Sequence, residues 1–85
     1  MHWLVKLLYE LTTMARDTYT VGGDGLDDPS RMRRFNELIR RVVRQLQEKL
    51  ASQTGMPDEV FLKMVSEEVE ALGFSADNLG GRLAS

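Results

Sequence analysis

PSRMRRFNELIRRVVRQLQEKLAS, residues 29–52, carries the strongest structural signal in the chain. Apolar residues recur in it at the i, i+3, i+4, i+7 spacing that places them on one face of a helix. This core stripe consists of Met32, Phe35, Ile39, Val42, Leu46 and Leu50, with Leu38 and Val43 at its edges. Asp28 suits the N-cap, and Pro29 suits the first helical position, where its missing N–H is not needed. The pattern predicts a long amphipathic helix over about 29–52.

The segment upstream predicts a second helix, over about 2–19. Its apolar residues follow the same spacing and include Leu4, Leu7, Leu8, Leu11, Met14 and Ala15. Their side chains occupy an arc of about 200° around the helix. So wide an apolar face must pack against partners on two sides, in a bundle or an oligomer. Three glycines in four residues, followed by aspartates, then predict a loop over 20–28.

The segment downstream predicts a third helix, over about 57–72, after a stop near Gly55. Its apolar face consists of Val60, Phe61, Met64, Val65, Val69 and Leu72. Gly73 followed by Phe74 is typical of a Schellman ending, in which Phe74 folds back on Val69. A short helix is predicted over 76–79. The expected fold is therefore all-α, a single domain over 1–85 with three main helices running up-down-up.

Composition narrows the class of protein. The chain has 85 residues, of which 42% are hydrophobic and 28% charged, as in one folded globular domain. It has no cysteine, which excludes disulfides and thiolate metal sites and favours a cytoplasmic location. Lys6 and Glu10 interrupt the N-terminal apolar run, so we expect neither a signal peptide nor a membrane span.

No motif indicates catalysis. His2 is the only histidine, and the glycine-rich loop lacks the Gly-Lys-Ser/Thr ending of a phosphate loop. The acidic cluster at Glu67, Glu68 and Glu70 fits a solvated helix face better than paired acid–base groups. We therefore expect a protein that is not an enzyme, with no cofactor and no metal site.

Charge is divided unevenly along the chain. Residues 29–50 hold seven cationic against two anionic residues, a net charge of +5, whereas residues 57–79 hold one against six, a net charge of −5. Arginine suits planar, bidentate pairing with carboxylate or phosphate. The predicted partner-binding residues are Arg33, Arg34, Arg40, Arg41 and Arg44.

Three interpretations of these arginines remain open. In the first, they form a solvated face in which Glu37 pairs with Arg33 and Arg41 at i, i+4 spacing. In the second, they dock an acidic protein, such as the 57–72 helix of another copy. In the third, they bind nucleic acid or an anionic membrane surface. Nucleic acid ranks last, because the isoelectric point is about 5.3 and no aromatic residue shares the arginine side of the helix.

The apolar surfaces also predict a homodimer or a larger homo-oligomer. A helix of 24 residues is about 36 Å long, whereas a compact monomer of this size is only about 30 Å across. The predicted interface residues are Leu4, Leu8, Leu11, Met32, Phe35, Ile39 and Leu50. The competing possibility is a monomer whose loop and short last helix cover this stripe.

The residues identify no specific function. We expect a non-catalytic protein–protein interaction or regulatory module that self-associates. The alternative is a nucleic-acid-associated protein that uses the arginines of the 29–52 helix.

Overall fold

The computed structural model describes residues 2–20, 29–52, 54–77 and 79–80. Within these ranges the chain forms three α-helices and no strand, which confirms the all-α prediction. Helix α1 spans Trp3–Thr20, α2 spans Pro29–Ser52 and α3 spans Asp58–Ala71. Each helix begins and ends within one residue of its predicted bounds. The predicted loop lies outside the described residues except for Thr20, which ends α1, and the N-cap Asp28 lies outside them as well.

Contacts between helix ends set the arrangement. Lys49 Nζ lies 3.6 Å from Asp58 Oδ1, which joins the end of α2 to the start of α3. The rings of Trp3 and Phe61 meet edge to face, with their centroids 6.4 Å apart, at the starts of α1 and α3. The first turns of α1 and α3 and the last turn of α2 therefore share one end of the bundle. The helices run up-down-up.

Two apolar clusters hold the helices together. The larger one joins all three helices and the turn at Leu79, and it consists of Trp3, Leu4, Leu7, Leu11, Leu38, Val42, Phe61, Val65, Val69 and Leu79. The smaller one lies at the far end of α1, where Ala15 packs with Phe35 and Leu72. Helices α1 and α2 are the most closely packed pair.

Helix α3 ends in the predicted Schellman motif. The N–H of Phe74 donates to the carbonyl of Val69 at 3.2 Å, and the N–H of Gly73 donates to the carbonyl of Glu70 at 3.0 Å. Gly73 has φ of 95°, the left-handed conformation that this motif requires. The Phe74 ring then packs edge-on against Phe35, with centroids 5.5 Å apart.

The predicted fourth helix is not found in the described residues. A single turn, in which the N–H of Leu79 donates to the carbonyl of Ala76 at 3.4 Å, stands in its place. The N–H of Gly80 donates to Glu10 Oε1 at 2.7 Å, and the Trp3 ring lies against Gly80. The segment is thus tied to α1 by its backbone, which competes with helix formation.

The bundle is elongated along α2. Its extents are 40 × 22 × 20 Å, so a helix of about 36 Å fits along the long axis. Near the two ends of α2, Arg31 contacts Leu72 and Lys49 contacts Asp58. The longest extent therefore exceeds the diameter of about 30 Å that the length comparison assumed, because the bundle is elongated.

Candidate interaction surfaces

The predicted arginines fall into two groups on α2. Arg33, Arg40 and Arg44 lie on the side of α2 that is turned away from the core, and we call them the outer row. All three side chains are exposed, and none forms a hydrogen bond or an ion pair with another described residue. The outer row is thus a line of solvated guanidinium groups.

The other two arginines lie on the flank of α2 that faces α3. Arg34 Nη2 is 3.8 Å from Glu68 Oε2, and Arg41 Nη1 is 3.8 Å from the sulfur of Met64. The Arg34 and Glu68 side chains are 49% and 42% exposed, so this ion pair adds little stability. The structure therefore does not bring the five arginines together on one surface.

The interpretation of a self-paired arginine face does not hold in its details. The spacing predicts ion pairs of Glu37 with Arg33 and with Arg41, yet neither pair approaches within 4.0 Å in the described helices. Glu37 instead lines a shallow groove of about 260 Å³ between α2 and α3, beside Arg34 and Arg41.

Arg31 has a role that sequence reasoning did not identify. Its Nη2 donates to the carbonyl of Leu72, and its guanidinium lies 5.4 Å from the centroid of the Phe74 ring. A cation at this position satisfies a terminal carbonyl and opposes the negative end of the α3 dipole. Arg31 therefore contributes to folding and not to the free arginine surface.

The predicted oligomer interface is only partly available. Leu4, Leu11 and Phe35 are fully buried within the single chain. They occupy the centres of the apolar stripes, where the other helices of the same chain cover them. In the single chain these three residues therefore leave no exposed surface for contact with a second copy.

The remaining interface residues lie on the side of the α1–α2 pair that faces away from α3. Leu8, Met32 and Ile39 are half-buried, while Leu50 is 71% exposed. Val5, 38% exposed, and half-buried Val43 share this side by helical spacing. We call this set the α1/α2 face: Val5, Leu8, Met32, Ile39, Val43 and Leu50.

The opposite side of α1 carries an open cleft of about 370 Å³. Its lining residues are Tyr9, Glu10, Thr13, Met14, Ser75 and Leu79. Glu10 is already used as an acceptor by the Gly80 N–H, and the Thr13 hydroxyl donates to the Tyr9 carbonyl at 3.0 Å. These two polar lining groups, the carboxylate of Glu10 and the hydroxyl of Thr13, therefore already form hydrogen bonds with the backbone.

Titratable groups are dispersed. Among the described residues, no group of three or more His, Cys, Asp and Glu side chains is placed to hold a metal ion. His2 is exposed, and its Nδ1 accepts the N–H of Leu4 at 3.1 Å at the start of α1. None of the three helices is both long enough and apolar enough to cross a membrane.

No protein-family model matches this chain, no curated protein is significantly similar to it in sequence, and no solved structure matches its fold significantly.

Proposed function

We propose that this protein is a non-catalytic interaction module that self-associates through the α1/α2 face. The observation that carries the proposal is the 71% exposure of Leu50, next to a row of apolar side chains that their own chain covers only in part. An isolated exposed leucine needs no explanation, but a continuous apolar row is typical of an interface.

A second copy is the occupant that suits this face. From Met32 to Leu50 the face runs about 27 Å along α2, and α1 widens it with Val5 and Leu8. In a two-fold interface each copy covers the same patch on the other, so two apolar rows bury one another without needing a charged partner. The α1–α2 pairs of two copies would then form a four-helix core, with α3 on the outside.

The test uses Leu50→Lys, because Leu50 is exposed in the single chain and its replacement should leave the monomer folded. Burying a leucine side chain is worth about 1.5–3 kcal/mol, so losing Leu50 from both copies removes about 3 kcal/mol of dimer stability. We expect the dimer dissociation constant, measured by sedimentation equilibrium, to rise about 100-fold.

Val60→Lys is the matched control, since Val60 is 51% exposed but lies on α3, outside the α1/α2 face. We expect this variant to associate as the wild type does. Equal weakening by Leu50→Lys and Val60→Lys would show that association does not use the α1/α2 face. Circular dichroism melting of both variants confirms that each monomer remains folded.

A further inference from the structure

The outer row has a regular geometry. Arg33, Arg40 and Arg44 are separated by seven and then four residues, which places them within about 40° of one another around α2. They span about 16 Å along the helix, a little over three turns. The row lies about 100° around α2 from Leu50, so a partner could occupy it while the α1/α2 face is covered.

One ion pair within the chain shows which chemical group an arginine of α2 contacts on a neighbouring helix. On the flank next to the outer row, Arg34 faces a carboxylate of an antiparallel helix, Glu68 of α3. Among the described residues, no carboxylate lies within 4.0 Å of an arginine of the outer row. Three guanidinium groups with no ion-pair partner in the described helices form a surface complementary to a second acidic helix, since arginine pairs well with carboxylate.

We propose that the outer row docks an acidic helix of a partner protein, antiparallel to α2. Carboxylates at i, i+4 and i+11 of that helix would face Arg44, Arg40 and Arg33 in turn. The surface does not depend on self-association, because it shares no residue with the α1/α2 face.

The residues around the row favour a protein over nucleic acid. Glu48 is exposed beside the outer row, and exposed Glu37 lies between the row and the groove that α2 forms with α3. Both carboxylates would repel phosphates, whereas a protein helix can meet them with cations. The chain as a whole carries a net charge of −2. Phe35, the one aromatic residue of α2, is fully buried, so no aromatic side chain of α2 is available beside the outer row to stack on bases.

The test measures fluorescence anisotropy of a labelled alanine-based helical peptide with glutamates at i, i+4 and i+11, at about 50 mM salt. A second peptide has the same composition but carries its glutamates at other positions. Comparing the two peptides shows whether binding depends on the spacing of the glutamates. We expect the triple variant Arg33→Gln, Arg40→Gln and Arg44→Gln to bind the spaced peptide about tenfold more weakly than the wild type. We also expect the wild type to prefer the spaced peptide over the permuted one.

The matched control removes three cationic charges elsewhere on the described surface, by Lys6→Gln, Arg16→Gln and Lys63→Gln. It should bind the spaced peptide as the wild type does. Absence of peptide binding to the wild type, or equal loss in both triple variants, would overturn the proposal.

A duplex DNA probe tests the alternative that the outer row binds nucleic acid. Tighter binding of the duplex than of the peptide at about 150 mM salt, lost in the outer-row variant, would assign the surface to phosphate and contradict the proposal. Sedimentation of the outer-row variant shows whether its loss of peptide binding occurs without a change in self-association. We expect its oligomeric state to equal that of the wild type.

Discussion

Gln45 is the polar side chain on which the turn between α2 and α3 depends. It is only 4% exposed, and its amide bonds the backbone of Met56 twice. Nε2 donates to the Met56 carbonyl at 2.7 Å, and the Met56 N–H donates to Oε1 at 3.2 Å. Gly55 permits this approach, because a Cβ there would lie 2.8 Å from Oε1. Replacing Gln45 should loosen the start of α3.

The expected magnitude follows from these two bonds. Gln45→Met keeps the side-chain length and volume but removes both hydrogen bonds, each worth about 1 kcal/mol net. Met56 is 41% exposed, so water can reach its freed backbone groups and the full penalty for unsatisfied buried groups is avoided. We expect the free energy of unfolding to fall by about 2 kcal/mol. For a chain of this length the total is about 4–13 kcal/mol.

The assay is urea unfolding followed by circular dichroism, with the free energy taken from the midpoint and the slope. Gln47→Met is the matched control, because Gln47 is exposed on the same helix and should change stability by less than about 0.5 kcal/mol. If Gln45→Met costs no more than Gln47→Met, the amide does not hold the turn and the reasoning is refuted.

Two further substitutions test the core and the end of α3. Val42→Asp places a carboxylate at a fully buried position, costs several kcal/mol and should abolish the cooperative thermal transition; a wild-type melt would contradict the placement of Val42 in the core. Gly73→Ala forces a side chain into φ of 95° with its Cβ 3.0 Å from Arg31 Nη2. The free energy of unfolding measured in urea should fall by about 1–2 kcal/mol, and an unchanged urea midpoint would refute the strain at this residue.

Periodicity in the sequence predicted the three helices because each has a continuous apolar stripe and a clear stop. Pro29 at the start of α2 and Gly73 at the end of α3 marked boundaries that the structure confirms. The predicted helix over 76–79 is not found in the described residues, where Gly80 contacts Glu10 and Trp3 from a distant part of the sequence.

The candidate surfaces were harder to predict. Periodicity gives the direction of a side chain but not what lies opposite it, so fully buried Leu4 and half-buried Leu8 looked equivalent. The same limit concealed Arg31, whose acceptor Leu72 lies 41 residues away. The outer row follows from spacing alone, yet its separation from Arg34 needed the position of α3.

Self-association of the wild-type protein is tested most directly by sedimentation equilibrium at tens of micromolar, at low and at high salt. The α1/α2 face is apolar, so salt should not dissociate the dimer, in contrast to an interface made by exposed charges. We expect a species at twice the chain mass of 9.7 kDa under both conditions. A single species of 9.7 kDa across the whole concentration range would contradict the proposed function.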